Sequence, residues 1–558
     1  MSDANEAITI VRRRLAGMKD VRRTWDPHWL DLSDYILPFN GRGLTGDDES
    51  RENNGSKRHS KIIDGTATYA INVFNAGMQS GVTSPARPWF KMGLADRELA
   101  EFGPVKDWLF IVQTELYKTF GRSNFYNSVH ALYNELGCFG TGALAVYESF
   151  KYGIRCRPFT IGEYYMAVDA NLRVDTFYHN YWMTVNQMIQ EFGQDRVSKS
   201  VKQLYESNST EKLIQCTRAI EPSDSRITLP GAEDFPYRSM HFETKGSVDD
   251  GFLQVGGFDD FPIMAPRWDV VGRDVYGTSP GMHLLGDIKM LQIMQEKSLM
   301  AINKQVDPPL KAPGTMESQM VNSMPGGISY SSETNGSEGL GALYQVNLDV
   351  NAVEAKIANV QLAIRRGYYN DLFMMISQNT SAGKRMTATE VAERHEEKLL
   401  MLGPAMERLH SELLDPAIGR TFNILLANGK IPPPPPEVQG QSIEVEYISV
   451  LAQAQKMVGL SSIDRLMGYV GTWAQLFPEM KHKVDAMSTV DDYADALGTP
   501  PSVVISTAEA LESWNQEQQA MAMQNNMAMG GQAADAAKTL SETDTSGEDN
   551  LLSQVTGG

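Results

Sequence analysis

The chain is poor in cysteine and has no long apolar run. Its 558 residues include three cysteines, Cys138, Cys156 and Cys216, with no C-x-x-C pair among them. Disulfide frameworks and structural zinc sites use closely spaced cysteines, so we predict reduced thiols. No run reaches the roughly 20 apolar residues needed to cross a bilayer, and the N-terminus has no signal-peptide core. These absences predict a protein that assembles in a cytoplasm without a membrane partner.

Positive charge is also scarce. Lys and Arg total 50 and Asp and Glu total 69, which leaves a formal net charge of −19. Proteins that bind DNA by themselves are normally basic. An acidic chain that handles DNA must confine its positive charge to small patches or avoid gripping the duplex.

Signatures of nucleotide hydrolysis and metal binding are absent as well. Gly383-Lys384 is followed by Arg385 rather than by the Ser or Thr of a phosphate-binding loop. The nine histidines show no ligand-like spacing. We therefore predict neither a cofactor nor a metal site.

One motif resembles a catalytic one. Gly277-Thr278-Ser279-Pro280-Gly281 fits the G-x-S-x-G of serine hydrolases. The oxyanion hole of such enzymes needs the N–H of the residue after the serine, and Pro280 has none. The favoured interpretation is a turn that starts a helix. A serine hydrolase built on Ser279 is the alternative from another class.

The first half of the sequence predicts an α+β body over 1–275. A stretch of 40–60 with a single aliphatic residue predicts a surface loop. Short β-rich runs alternate with turns over 141–185 and 210–275. Helical periodicity is found over 5–37, interrupted at Asp26-Pro27, and over 63–80, 104–120 and 124–137.

Two long helices are predicted on either side of a compact insert. The first covers 282–306, within a segment 276–306 that includes its starting turn, because apolar residues recur there at three- and four-residue steps. The insert, 307–349, is rich in Gly, Ser and Pro. The second helix is predicted over 350–376, with Asn351 as its cap.

A short polar loop follows the second of these helices. It spans 377–386 and contains Lys384 and Arg385. Beyond it the sequence predicts, in order, a long helix over 387–430 kinked at Gly403-Pro404, a proline spacer and strand over 431–450, a helical region over 451–529, and a disordered tail over 530–558.

Four stretches of the sequence carry a resemblance to a known family. They are IIDGTATYAINVFNAGMQSGVTSPARPWFKM (62–92), LGCFGTGALAVYE (136–148), PIMAPRWDVVGRDVYGTSPGMHLLGDIKMLQIMQEKSLMAINKQVDPPL (262–310) and MTATEVAERHEEKLLMLGPAMERLHSELLDPAI (386–418). Over roughly 5–500 the chain resembles the portal, or head-to-tail connector, proteins of short-tailed phages (podoviruses).

The resemblance implies the phage portal fold, a mainly helical α+β chain. Its parts would be an α/β wing (1–275), a helical stem (276–306 and 350–376), a small α/β clip (307–349), a tunnel loop (377–386), a long kinked wing helix (387–430) and a helical crown (451–529).

The resemblance also implies a structural role rather than an enzyme. Twelve copies would form a ring at one capsid vertex of the virion, a conduit for packaging and ejection of double-stranded DNA. Implied partners are the other copies, DNA bound without sequence preference, the terminase large subunit, major capsid and scaffold proteins, tail adaptor or nozzle proteins, and internal core proteins. A tail adaptor is a further alternative, which the length disfavours because adaptors are usually much smaller.

Candidate DNA-facing residues follow from the same resemblance. Lys384 and Arg385 in the tunnel loop would touch phosphates. Arg365 and Arg366 would face the channel if the second stem helix lines it.

Overall fold

The computed structural model describes residues 2–44, 57–96, 99, 102–224, 229–247, 251–306, 310–311, 341–342, 349–377, 402–438, 441, 443–448, 466–473, 477, 484–485, 487–490, 493 and 510–523. The chain divides into two compact units, Met1–Ala452 and Gln453–Gly558. The described parts of the second unit are mainly helical, over 466–473, 487–490 and 510–523.

The described elements of the first unit make it an α+β body in which helices predominate. Its helices are α1 (Ser2–Arg22), α2 (Asp26–Tyr35), α3 (Thr66–Gly81), α4 (Gly103–Arg122), α5 (Phe125–Phe139), α6 (Val185–Phe192), α7 (Lys199–Glu206), α8 (Pro280–Val306), α9 (Val350–Gly367), α10 (Asn370–Ser377) and α11 (Asp415–Ala427). Its strands are β1 (Phe90–Leu94), β2 (Ala143–Ser149), β3 (Gly153–Phe159), β4 (Tyr164–Val168), β5 (Val174–Thr184), β6 (Leu213–Pro222), β7 (Tyr237–Glu243), β8 (Gln254–Phe258), β9 (Ile263–Met264), β10 (Leu310–Lys311), β11 (Gly341–Ala342) and β12 (Ile443–Tyr447).

A five-stranded antiparallel sheet carries one of the apolar cores. Its strands β4 to β8 are neighbours in chain order. Helix α1 covers one face, because its apolar residues recur at helical spacing and pack on the sheet. The buried residues of this cluster include Ile8, Val11, Leu15, Tyr178 and Met240.

A second core lies between helices. Helix α3 packs against α5, α9 and α10, and it buries Phe74 completely. The close approach of α3 to α10 and to α5 depends on one glycine at each contact. A Cβ on Gly77 would lie 2.1 Å from the ring of Phe373, and one on Gly137 would lie 2.8 Å from Phe74. The smaller sheet, β3-β2-β9, adjoins α5.

The helical segment that ends with α11 is not uniform. It is described from 402, and a π-helical turn at His410–Leu414 precedes α11. Pro416 has no N–H to bond the carbonyl four residues earlier, and the wider π turn covers the place where that bond is missing. The predicted kink at Gly403-Pro404 stands at the edge of the described segment and stays a prediction.

The strand predicted over IEVEYISV is confirmed for Ile443–Tyr447, and its partner is distant in sequence. Strand β12 pairs antiparallel with β1, with Met92 opposite Val445. The helices predicted over 63–80, 104–120, 124–137 and 282–306 are confirmed as α3, α4, α5 and α8. The first predicted helix is divided into α1 and α2, with the break just before Asp26.

The single helix predicted over 350–376 is wrong. The chain forms α9 and α10, separated by Tyr368 and Tyr369, and Tyr369 has a left-handed φ of +56°. The predicted cap is wrong as well. Asp349 rather than Asn351 caps α9, since its carboxylate accepts a hydrogen bond from the Ala352 N–H at 3.2 Å.

Several predicted features lie outside the described residues. They are most of the 40–60 loop, the insert 307–349 except β10, β11 and its last residue, the loop residues 378–386, the helix residues 387–401 and the tail 530–558. All three cysteines are buried free thiols. In the described part of the chain, no helix is long and apolar enough to span a membrane.

Candidate functional site: two rods and their anchorage

The two long helices α8 and α9, which we call the rods, lie side by side. They contain 27 and 18 residues, so their lengths are about 40 Å and 27 Å at 1.5 Å per residue. Between them the chain makes one described antiparallel pair, β10 with β11. The rods therefore form a helical hairpin whose connection begins and ends as a strand pair.

The first rod starts at a buried serine cap. The Ser279 hydroxyl donates to the carbonyl of Cys138 at 2.7 Å and accepts from the Met282 N–H at 2.9 Å. The side chain is fully buried, and Pro280 occupies the first helical position, where no N–H is needed. This geometry is that of a helix N-cap, because the hydroxyl proton goes to a carbonyl rather than to a base.

The turn before this cap is held by backbone contact. Gly140 ends α5 with a φ of +74°. A Cβ on Gly277 would lie 2.4 Å from the Gly140 carbonyl oxygen. Two glycines are thus needed where the start of the first rod crosses the end of α5.

The second rod ends beside the start of the first. Tyr368 is fully buried and packs near Phe74, with 6.2 Å between ring centroids. A Cβ on Gly281 would lie 2.9 Å from the Tyr368 hydroxyl, and one on Gly367 would lie 2.5 Å from Leu284. The left-handed turn at Tyr369 follows at once, so the rod stops where it meets the body.

A polar clasp ties both rods to the segment before α3. The Gln292 side-chain oxygen accepts from the N–H groups of Ile63 and Asp64, at 2.7 and 2.8 Å. The Asp64 carboxylate accepts from Gln295 of the first rod at 3.1 Å and from Gln361 of the second at 2.8 Å. Burial alone would raise the pKa of Asp64, but hydrogen bonds from Thr66, and after them those from Gln361 and Gln295, lower it below its ordinary value. Sequence analysis missed the clasp, because glutamines on a helix carry no motif.

The first rod leaves an apolar stripe uncovered. Met290, Ile293 and Met300 are 40%, 57% and 44% exposed. Together with Gly286 and Lys297 they follow the spacing i, i+4, i+7, i+11, i+14, which places them on one face of the helix. These three exposed apolar side chains, with Lys297 between Ile293 and Met300, are surface that a second protein can cover.

The rods are basic although the whole chain is acidic. Over 280–306 and 350–367 there are six Lys or Arg and three Asp or Glu, a net charge of +3 against −19 for the chain. Arg365 and Arg366 stand exposed in the last turn of α9, where positive charge complements the helix dipole. Arg366 lies 3.6 Å from the carboxylate of Asp371. Neither Lys384 nor Arg385 belongs to the described residues.

Within the described ranges, no three His, Cys, Asp or Glu side chains are grouped as metal ligands would be.

Comparison with known proteins gives a consistent result. The family described as bacteriophage head to tail connecting protein matches residues 9–505. The portal protein of Salmonella phage epsilon15 is 42% identical over 538 residues, which cover 96% of this chain and 95% of that protein. The probable portal protein of Bordetella phage BPP-1 is 40% identical over 546 residues, 97% of each chain. A chain from the neck of an empty GTA particle covers 78% of this chain and 91% of its own length, at 13% identity and a TM-score of 0.35.

Proposed function

The chain belongs to the bacteriophage head-to-tail connecting proteins, and from this membership we propose that its two rods wall a DNA channel. It is a portal subunit at the capsid vertex, a structural component of the virion. It works in a ring assembly with capsid and tail partners. The proposal concerns which surfaces close the ring and which meet DNA.

The apolar stripe on the first rod supports the proposed wall. Burying Met290, Ile293 and Met300 against a neighbouring copy removes apolar surface from water, at roughly 25 cal/mol for each Å². A ring repeats that contact at every interface, since each subunit offers the same stripe to its neighbour. We propose twelve copies, as in the family.

The charge distribution supports passage of DNA. The chain as a whole is acidic, so outside the rods the ring repels DNA and limits how tightly the duplex is held. The positive rods supply local attraction to phosphates, which carries no sequence information. In this proposal Arg365 and Arg366 face the channel, and Lys384 and Arg385 touch phosphate in the tunnel loop.

The remaining partners are proposed from the family. The terminase large subunit meets the insert 307–349 during packaging, and tail adaptor or nozzle proteins meet it afterwards. Major capsid and scaffold proteins contact the 1–275 body. Internal core proteins contact the helical region 451–529, and assembly takes place in the host cytoplasm.

Substitution within the stripe tests the proposed wall. Ile293→Asp places a charge in the proposed subunit interface, so we expect mass photometry of the purified variant to detect monomers in place of rings. The thermal unfolding midpoint of Ile293→Asp, measured by circular dichroism, should equal that of the wild type when both proteins are compared as monomers. The reason is that Ile293 is exposed within one chain. Val271→Asp is the matched control, since Val271 is 61% exposed and lies outside the rods. Intact rings from Ile293→Asp would refute the proposal.

A double variant tests the DNA contact. We expect Lys384→Ala with Arg385→Ala to leave ring mass unchanged but to alter the amount of DNA packaged or retained, measured in phage carrying the variant portal. The reason is the loss of one positive cluster from each subunit. Normal packaging, retention and infectivity of phage with the double variant would refute the proposed DNA contact of Lys384 and Arg385. The ring proposal would be unaffected.

A further inference from the structure

A cavity of about 510 Å³ lies on the five-stranded sheet, on the face that α1 does not cover. Residues directly opposite each other on paired strands share a face. His179 pairs with Arg218, and Arg218 pairs with His241. Three neighbouring strands thus place one row of nitrogen-bearing side chains across the cavity floor. Its volume lies within the range of small-molecule sites.

Arg218 is held rigidly in this floor. Its Nε donates to the Ser239 hydroxyl at 3.1 Å and its Nη1 donates to the Tyr147 hydroxyl at 2.8 Å. The guanidinium also lies 4.8 Å from the Tyr147 ring centroid and 5.5 Å from that of Phe258. A cation fixed by aromatic rings and two hydrogen bonds loses little entropy when it meets a ligand.

Aromatic surface surrounds the row. His179 stacks parallel to Tyr181 with 5.3 Å between centroids, and it lies 4.7 Å from Phe159. The Tyr181 hydroxyl lies 2.8 Å from His241 Nδ1. Burial, with Arg218 as a second cause, lowers the pKa of His241 to about 3, so this ring is neutral at physiological pH.

The rim adds one exposed cation, Arg157, and one anion, Glu191. Arg157 of β3 is exposed and its guanidinium lies 5.4 Å from the Phe159 centroid. Among the described residues nothing accepts a hydrogen bond from it. Glu191 and Gln190 stand on the exposed face of α6. The lining therefore carries two positively charged guanidinium groups, those of Arg157 and Arg218, and one negatively charged carboxylate, that of Glu191.

We propose that this cavity binds a monocarboxylate attached to an aromatic or apolar body. The guanidinium of Arg157, which lines the cavity together with that of Arg218, pairs with the carboxylate, because a planar fork of N–H donors matches two carboxylate oxygens. The rings of Tyr181 and Phe159 contact the apolar body. A net charge of +1 balances a single carboxylate, whereas a phosphate of charge near −2 leaves excess negative charge beside Glu191.

Fluorescence titration with dansylglycine tests the proposal on the full-length protein. This probe joins an aromatic ring system to a carboxylate, and dansylamide is the matched probe without the acid. We expect saturable binding of dansylglycine and at least tenfold weaker binding of dansylamide. Arg157→Gln should weaken dansylglycine about tenfold, the usual scale for a hydrogen bond to a charged group.

Control variants separate the cavity from the rest of the surface. Arg155→Gln changes an exposed arginine of the same strand that does not line the cavity, and it should bind the probe like the wild type. Gln190→Trp fills the rim and should weaken binding. Equal binding by Arg157→Gln and the wild type, or equal binding of the two probes, would overturn the proposal.

Competitors identify the ligand. Displacement by phenylacetate supports a small acid, and displacement by a peptide with a free C-terminal Phe but not by its amide supports a protein terminus. Displacement by deoxyadenosine monophosphate at lower concentration than by phenylacetate would overturn the carboxylate assignment.

Discussion

A buried carboxyl group on α5 should make the stability of this protein depend on pH. Glu135 is 4% exposed. Its Oε1 accepts from the Asn40 side chain at 2.6 Å and its Oε2 from the Ile161 N–H at 3.0 Å. Burial is the main reason that its pKa rises to about 8, and the nearby Glu163 adds to the rise. The hydrogen bonds and Arg42 oppose it, but desolvation dominates.

The sign follows from proton binding. A folded-state pKa raised from 4.5 to about 8 means that the folded chain holds a proton which the unfolded chain releases. This contribution to stability is complete below pH 4.5 and is lost as the pH rises through about 8. Between pH 5 and pH 8 the loss is about 3.5 kcal/mol, at 1.36 kcal/mol for each pKa unit.

Glu135→Gln is the perturbation that isolates this effect. The amide imitates the protonated acid in size and charge but does not titrate. We expect the free energy of unfolding in urea, variant minus wild type, to increase by about 3.5 kcal/mol from pH 5 to pH 8. Glu115→Gln, at the surface of α4, controls for the loss of a carboxylate. A difference that stays flat with pH, or that falls, would refute the reasoning.

Three further predictions concern the anchorage of the rods, each measured by urea unfolding. Ser279→Ala should cost about 1–2 kcal/mol through the lost cap, and wild-type protein should take up no fluorophosphonate label; labelling at Ser279 would contradict its assignment as a cap. Tyr368→Phe should stabilise by about 1 kcal/mol, because the Tyr368 hydroxyl is buried without a hydrogen-bond partner among the described residues; a clear loss would show that the hydroxyl is bonded. Gly277→Ala should cost about 1–3 kcal/mol by clashing with the backbone of Gly140, whereas Gly286→Ala, which has open space, should gain up to about 1 kcal/mol; equal effects would contradict the clash.

Local signals in the sequence were sufficient for the first rod. Ser279-Pro280 marks a helix start, and the apolar spacing carries through to Val306, so α8 was predicted to within two residues. The family also followed from sequence, because the matching stretches extend over most of the chain.

The break in the second rod had one local signal, because Arg365-Arg366-Gly367 is typical of a helix C-terminus, but the residues after it argued for continuation. Tyr368 and Tyr369 are neither Gly nor Pro, and the apolar spacing continues across them. The left-handed turn at Tyr369 exists because Tyr368 is buried beside Phe74 and Gly281. Such a turn is determined by contacts between elements that are distant in sequence. The spacing of apolar residues along the helix does not predict these contacts.

The sheet cavity escaped prediction for a similar reason. Arg157, Arg218 and His241 are separated by dozens of residues, and only strand register brings the last two into one row. The pairing of β1 with β12 joins residues more than 300 apart in the same way.

The close contact of Gly281 with Tyr368 joins the two rods at the end of the helical hairpin that meets the body. The first rod begins and the second ends at that one spot. A force on the far ends of the rods would therefore reach α3 and α5 through this contact as well as through the hydrogen bonds of Asp64. Because Gly281 and Gly367 have no side chains, the two rods approach each other closely at this end.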